Sequence, residues 1–225
     1  MSQLAFGQKV LEFYKQLTPD WSLPEGFSTI YPFGDPSVQE SMASFYNKFY
    51  HDENERVFLF GINPGRFGAG ITGIPFTDPI SLDKSCGIEN EFEKRHELSS
   101  QFIYNMIEAM GGASKFYRRF YISSICPLGF LKAGNNANYY DDKALYQAVK
   151  PHIVESIQRQ IAFGANIDIA FSIGKGTNMK FFEKLNKEFG FFKSLHALPH
   201  PRWVMQYRRK KLDTFIDEYK EKLST

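Results

Sequence analysis

Apolar and polar residues along the chain follow two alternating periods. Apolar positions spaced three or four apart predict helices over residues 3–17, 37–50 and 177–188, over about 204–223, and from Ser99 or Ser100 to Met110. In the first, Leu4, Val10, Leu11, Tyr14 and Leu17 share a face; in the second, Met42, Phe45, Tyr46 and Phe49 do. A longer helix is predicted from Asp141 to Phe163, interrupted or bent near Pro151. Between the helices lie short apolar runs that read as strands: about 56–62, 118–125, 167–173 and 191–198. The third is almost continuously apolar, as a central strand of a buried sheet would be. Residues 21–36, with three prolines, read as irregular, 77–96 as ambiguous, and Gly134 to Asn138 as a loop. Strands alternating with helices predict an α/β fold, a three-layer α/β/α sandwich around a central parallel four-stranded sheet.

The first strand opens into a loop with five glycines in thirteen residues, Gly61 to Gly73, stiffened by Pro64 and Pro75. Glycine allows close approach to the backbone, and open α/β sheets build their sites beyond the carboxyl ends of the strands. All four predicted strand ends carry chemistry: Asn63, Ser124, Lys175 and His200. Convergence of these four at one sheet edge is the first functional signal.

Composition narrows the picture. A chain of 225 residues suffices for one core and is read as a single domain over 1–225. Aromatics reach 16%, with 23 Phe and 12 Tyr, which predicts a Phe-rich core. A net charge of +2 does not announce a nucleic-acid partner by bulk electrostatics. Two cysteines without a Cys-x-x-Cys spacing predict neither a metal site nor a disulfide framework. With no signal pattern and no apolar run of membrane-spanning length, the chain reads as soluble, intracellular and cytoplasmic, without a membrane partner.

Each candidate residue has a chemical and a plain reading. Asn63 can orient a water, or simply bond its own turn. His200 can donate to developing negative charge, or be a turn residue between two prolines. The Gly174-Lys175-Gly176 turn can hold a phosphate at a helix start, or be an ordinary strand-to-helix connection. From Arg202 to Lys211, five cations, among them Arg208 and Arg209, are interleaved with Trp203, Met205 and Tyr207. That mixture reads as a solvated helix face or as a nucleic-acid surface, with cations for phosphates and an apolar wedge for the gap left by an extruded base.

Taken together, Gly61-Ile62-Asn63-Pro64-Gly65-Arg66-Phe67-Gly68 followed by Thr72-Gly73-Ile74-Pro75-Phe76 resembles the first motif of the single-strand-selective monofunctional uracil-DNA glycosylases. Cys126-Pro127-Leu128 and His200-Pro201 are similar to two further motifs of that family, in the same order, so the resemblance spans about 57–210. It implies a uracil-DNA glycosylase-like fold and a monofunctional DNA glycosylase of base excision repair that needs no cofactor and no obligatory protein partner. DNA containing damaged or deaminated bases is the implied partner. By position, Asn63 matches the amide that holds the attacking water. His200 matches the histidine that bonds the departing base, and Phe76 the ring that stacks on it. Ile62, Gly65 and Phe67 match the pocket wall, and residues 202–207 the wedge. Two departures stand out. Ser124 occupies the place of an asparagine that reads the pyrimidine edge, which implies a pocket open to xanthine or hypoxanthine besides uracil. Arg202-Trp203 replaces Ser-Pro after His-Pro. The pattern resembles a divergent bacterial subgroup. Two other readings are a non-catalytic DNA- or nucleotide-binding module on the same fold and a hydrolase of free nucleosides or nucleotides.

Overall fold

The computed structural model of the protein describes residues 4–224, so the predicted helix start at residue 3 lies outside the described residues. In chain order the strands are β1 (Phe27–Ile30), β2 (Arg56–Gly61), β3 (Phe120–Ser124), β4 (Gly129–Lys132), β5 (Asn135–Ala137), β6 (Ala165–Ile173) and β7 (Ser194–Leu198). The helices are α1 (Phe6–Lys15), α2 (Pro36–Phe49), α3 (Ala69–Thr72), α4 (Pro79–Lys84), α5 (Leu98–Ala109), α6 (Ala113–Tyr117), α7 (Lys143–Ile161), α8 (Thr177–Phe189), α9 (Pro201–Tyr207) and α10 (Leu212–Leu223).

The four predicted strands form one parallel sheet in the order β3-β2-β6-β7, flanked by helices. β6 is an inner strand, as its apolar run predicts. Register explains why the strand ends converge. Gly61 pairs with Ser124, and Ile173 with Leu198. Asn63, Ser124, Gly174 and His200 therefore emerge along a single sheet edge. The sheet is held by aromatic packing: Phe58, Leu59 and Phe60 of β2 are fully buried, with Phe6, Phe102 and Phe182 against the same core.

Several elements depart from the expectations. A second, antiparallel sheet, β1-β4-β5, runs through residues read as irregular or loop. Its strands are three or four residues long, too short for a period to show. The ambiguous stretch 77–96 contains α4, started by the buried Asp78 carboxylate accepting from Ser81 N at 2.7 Å. Glu97, not Ser99 or Ser100, caps α5 by accepting from Ser100 N at 2.9 Å. α7 runs through Pro151 without interruption. The predicted last helix is two helices. The chain leaves helical geometry at Arg208 (φ −134°, ψ 19°) and passes a 3₁₀ turn, Arg209–Lys211, before α10.

Arg56 starts β2 with no exposed surface. Its guanidinium lies 4.5 Å from the Phe6 ring centre and 4.8 Å from that of Tyr50. Its Nε donates to Tyr117 O at 2.8 Å, and it pairs with Asp52 at 2.9 Å. A buried charge is tolerable only with partners of this kind. At the other end of the sheet, α10 braces the turn after β7: Tyr219 Oη donates to Pro199 O at 2.6 Å and Lys222 Nζ to Ala197 O at 2.9 Å. No helix among the described residues is long and apolar enough to cross a membrane.

Candidate active site

Beyond the carboxyl ends of the sheet lies a cleft of about 650 Å³. Ile62, Asn63, Gly65, Phe67, Phe76, Ser124, Lys175, His200, Arg202, Trp203 and Tyr207 all line it. Arg208 and Arg209 do not; with Tyr207, Lys210 and Lys211 they surround an adjoining basic hollow.

Asn63 bonds its own turn only weakly, Nδ2 donating to Pro64 O at 3.4 Å, and is held mainly from a distance. Its Nδ2 donates to Ala137 O at 3.2 Å and its Oδ1 accepts from Tyr139 N at 3.1 Å. These bonds fix which end of the amide is oxygen. An amide oxygen has two lone pairs and the nitrogen two hydrogens; both hydrogens have acceptors, Ala137 O and, at 3.4 Å, Pro64 O, so one acceptor direction on Oδ1 remains for a ligand or a water in the half-buried cleft.

Phe76 has a positive φ of 55°, rare for a bulky residue. Hydrogen bonds on both sides of it hold that conformation. Thr72 Oγ1 donates to Thr77 O at 2.7 Å and accepts from Ile74 N at 3.2 Å. Thr77 Oγ1 shares a 2.9 Å bond with Tyr104 Oη. The ring is thereby laid on Gly61, so closely that a Cβ there would meet Phe76 Cε2 at 2.5 Å. A flat ring lining a cleft has the shape to offer a stacking face.

His200 caps α9: its Nδ1 accepts from Arg202 N at 3.2 Å. An accepting Nδ1 carries no proton, so the neutral ring bears its hydrogen on Nε2. Burial, aided by the nearby Arg202 charge, lowers its pKa from 6.5 to about 4. At neutral pH the imidazole is therefore an uncharged donor, suited to stabilising negative charge on a departing group without giving up a proton first.

Ser124 ends β3, is 6% exposed, and its hydroxyl has no hydrogen-bond partner among the described residues. The cleft is the direction in which it can find one. α9 offers Trp203 and Tyr207 at 41% and 61% exposure, whereas Met205 faces the core. Arg208 stacks on Trp203 at 5.0 Å. Among the described residues no group of three or more His, Cys, Asp or Glu is arranged to hold a metal.

A family model described as the uracil DNA glycosylase superfamily matches residues 48–224. The chain belongs to the uracil-DNA glycosylase superfamily. Among solved structures it is similar to the crystal structure of wild-type SMUG2 from Pedobacter heparinus: 44% identity over 99% of this chain and 98% of that one, with a TM-score of 0.95. That likeness places it in the single-strand-selective monofunctional branch with the fold expected of it. No curated protein matches the chain. The protein is a DNA glycosylase, an enzyme of base excision repair.

The remaining lining of the glycosylase cleft was not legible in the sequence. Asn178, in the first turn of α8, is buried; it donates to Gly61 O at 3.4 Å and Ser172 Oγ at 3.2 Å, and accepts from Tyr139 Oη at 2.9 Å. It thus ties the Asn63 loop to the turn after β6, and only its place behind Gly174-Lys175-Gly176 hinted at a role. Asn136, Asn138 and Tyr140 come from the second sheet and the segment after it, and His96, Glu97 and Gln206 from α5 and α9 or just before them. Lys175 reaches the cleft of the glycosylase already paired with Glu218 of α10 at 2.6 Å.

Proposed function

We propose that this glycosylase hydrolyses the N-glycosidic bond of a deaminated base extruded from DNA, uracil first, and that the short Ser124 side chain also admits xanthine or hypoxanthine. What carries the reading is one juxtaposition: an amide of fixed orientation and a neutral imidazole with its proton on Nε2, both on the cleft that the Phe76 ring lines.

In this mechanism the extruded base stacks on Phe76. As the C1′–N bond breaks, its electron pair leaves with the base, and the sugar becomes oxocarbenium-like. The His200 Nε2–H donates a hydrogen bond to the base as it becomes anionic. Asn63 holds a water against C1′; its oxygen forms the new bond and it releases a proton to solvent. An amide is not a strong base, so most of the rate comes from stabilising the leaving anion, and no covalent enzyme intermediate forms. Loss of one such donor costs about 10²–10³ in rate. α9 supplies the wedge, Trp203 and Tyr207, and Arg202, Arg208 and Arg209 the phosphate contacts. Lys175 contributes only when its pairing with Glu218 opens.

The test is a panel of oligonucleotides carrying uracil, xanthine or hypoxanthine, incubated with enzyme and then cleaved with alkali. Abasic product from uracil, and strand scission only after alkali, are expected. No product from any of the three at high enzyme ends the reading. Product from xanthine or hypoxanthine but not uracil overturns the stated preference.

A further inference from the structure

We propose that Arg66 and Arg95, both packed on the Phe67 ring, form a second phosphate-binding site, which grips the DNA backbone next to the flipped nucleotide. The Arg66 guanidinium lies 4.6 Å and that of Arg95 3.9 Å from the ring centre. Their charges are therefore within about one Debye length of each other. Both side chains are exposed, and neither pairs with a carboxylate among the described residues.

Some surface cations elsewhere are neutralised. Lys150, Lys175 and Lys193 each hold a carboxylate within 2.8 Å. The carboxylates near Arg95 do not serve it. Glu97 is committed to α5, accepting from Ser99 Oγ at 3.0 Å and Ser100 N at 2.9 Å, and Glu93 makes no ion pair among the described residues. Two guanidiniums gathered on one ring repel each other. Cation–π attraction offsets part of that, and an anion between or beside them offsets the rest.

Arg66 is also pre-oriented. Its Nη1 donates to Gly134 O at 2.5 Å and its backbone N to Asn136 Oδ1 at 3.3 Å. A guanidinium has five N–H donors, so most of its fork stays free for phosphate oxygens, the geometry for which arginine is suited. Phe67 sits four residues beyond Asn63 and lines the same cleft. The anion is therefore a phosphodiester of the strand whose base occupies the cleft. The basic hollow after α9 is lined by other residues, 206–211, and includes neither Arg66 nor Arg95. That the strand lies here rests on the proposed base-extrusion reading.

The experiment measures binding to an oligonucleotide with a non-cleavable abasic-site analogue, by fluorescence anisotropy across a salt series, for wild type, Arg66→Gln/Arg95→Gln and Arg66→Lys/Arg95→Lys. Each phosphate contact contributes about 0.7–0.9 to the slope of log affinity against log salt. The Gln pair is expected to bind roughly 10-fold more weakly at moderate salt, with a slope shallower by about 1–2. The Lys pair loses stacking but keeps charge, and is expected to restore most of the slope. Lys193→Gln, far along the β6–β7 edge, is the control and keeps wild-type binding. An unchanged slope in a folded Gln pair overturns the site. An equal slope loss in the Gln and Lys pairs also overturns it, since that marks distortion rather than charge. The readout needs no base release: a clamp confirmed on this DNA stands if the uracil panel fails, and a working panel does not rescue an unchanged slope.

Discussion

The Phe76 ring lies close against Gly61, which makes Gly61→Ala a sharp probe. An added Cβ would lie 2.5 Å from Phe76 Cε2, 2.9 Å from Cζ and 3.4 Å from Ser123 O. Carbon atoms pack at about 3.5–4.0 Å, so the ring must retreat by about 1 Å. It cannot simply swing on its backbone, because Thr72 and Thr77 bond to both sides of the φ 55° residue. Overpacking of this kind costs about 1–3 kcal/mol of stability, and replacing glycine within a strand returns about 0.5–1 kcal/mol of that. A net loss of about 1–2 kcal/mol leaves most of the protein folded. Activity suffers more. Stacking is worth about 1–3 kcal/mol per base, so a displaced ring lowers kcat/KM on uracil DNA by about 5- to 150-fold. The assay is single-turnover release of uracil, with thermal melts to show folding, run on Gly61→Ala, Phe76→Ala and the pair together. If the methyl acts through the ring, Gly61→Ala adds nothing once Phe76 is gone. Full kcat/KM in folded Gly61→Ala, or additive losses in the pair, would refute the reasoning.

Asn63→Asp should lower activity about as much as Asn63→Ala, roughly 10²–10³-fold, because a carboxylate set against Ala137 O loses the bond that orients the amide; single-turnover rates check this. For His200 the unfolded chain takes its proton near 6.5 and the folded one only at about 4. Between those values the unfolded state binds more protons, so stability should fall as pH drops from about 6.5 to 4. Melts across that range should show the decline in wild type and less of it in His200→Gln, while the activity profile shows no limb near pH 6.5. Ser124→Asn should raise the ratio of uracil to xanthine release; an unchanged ratio removes Ser124 from specificity. Arg56→Lys should cost about 3 kcal/mol despite keeping the charge, because the ammonium cannot reproduce the fork on Tyr117 O and Asp52 between two rings; urea unfolding measures it.

The parallel sheet was legible because β2, β3, β6 and β7 are apolar runs bounded by Gly, Pro or polar turns, and local pattern decides such strands. So were the lining residues Asn63, Ser124, Lys175 and His200, because topology carries strand ends to one edge, whereas Phe76 was picked out by its place in the glycine loop and by the resemblance. The β1-β4-β5 sheet was not, since Phe27, Leu131 and Asn136 owe their strand geometry to partners about a hundred residues away or across a tight turn. The break at Arg208 was hidden too. Residues 204–223 contain no glycine or proline, and the kink answers to tertiary contacts, such as Trp203 edge-on to Phe215 at 5.7 Å. The bonds that orient Asn63 and the link from Asn178 to Gly61 span 74 to 117 residues, and no window along the chain contains both ends.

The brace that α10 lays across the turn carrying His200 has a consequence for biosynthesis. As the chain emerges from the ribosome, the glycine loop with Asn63 is made early, and the four strands are complete once Leu198 has appeared. His200 follows at once, yet its turn is fastened only when Tyr219 reaches Pro199 O and Lys222 reaches Ala197 O. A product lacking this last helix would carry the Asn63 loop without the brace on the His200 turn. On the proposed mechanism, a chain without that helix is expected to release bases poorly, because those two bonds no longer fix the turn that carries His200.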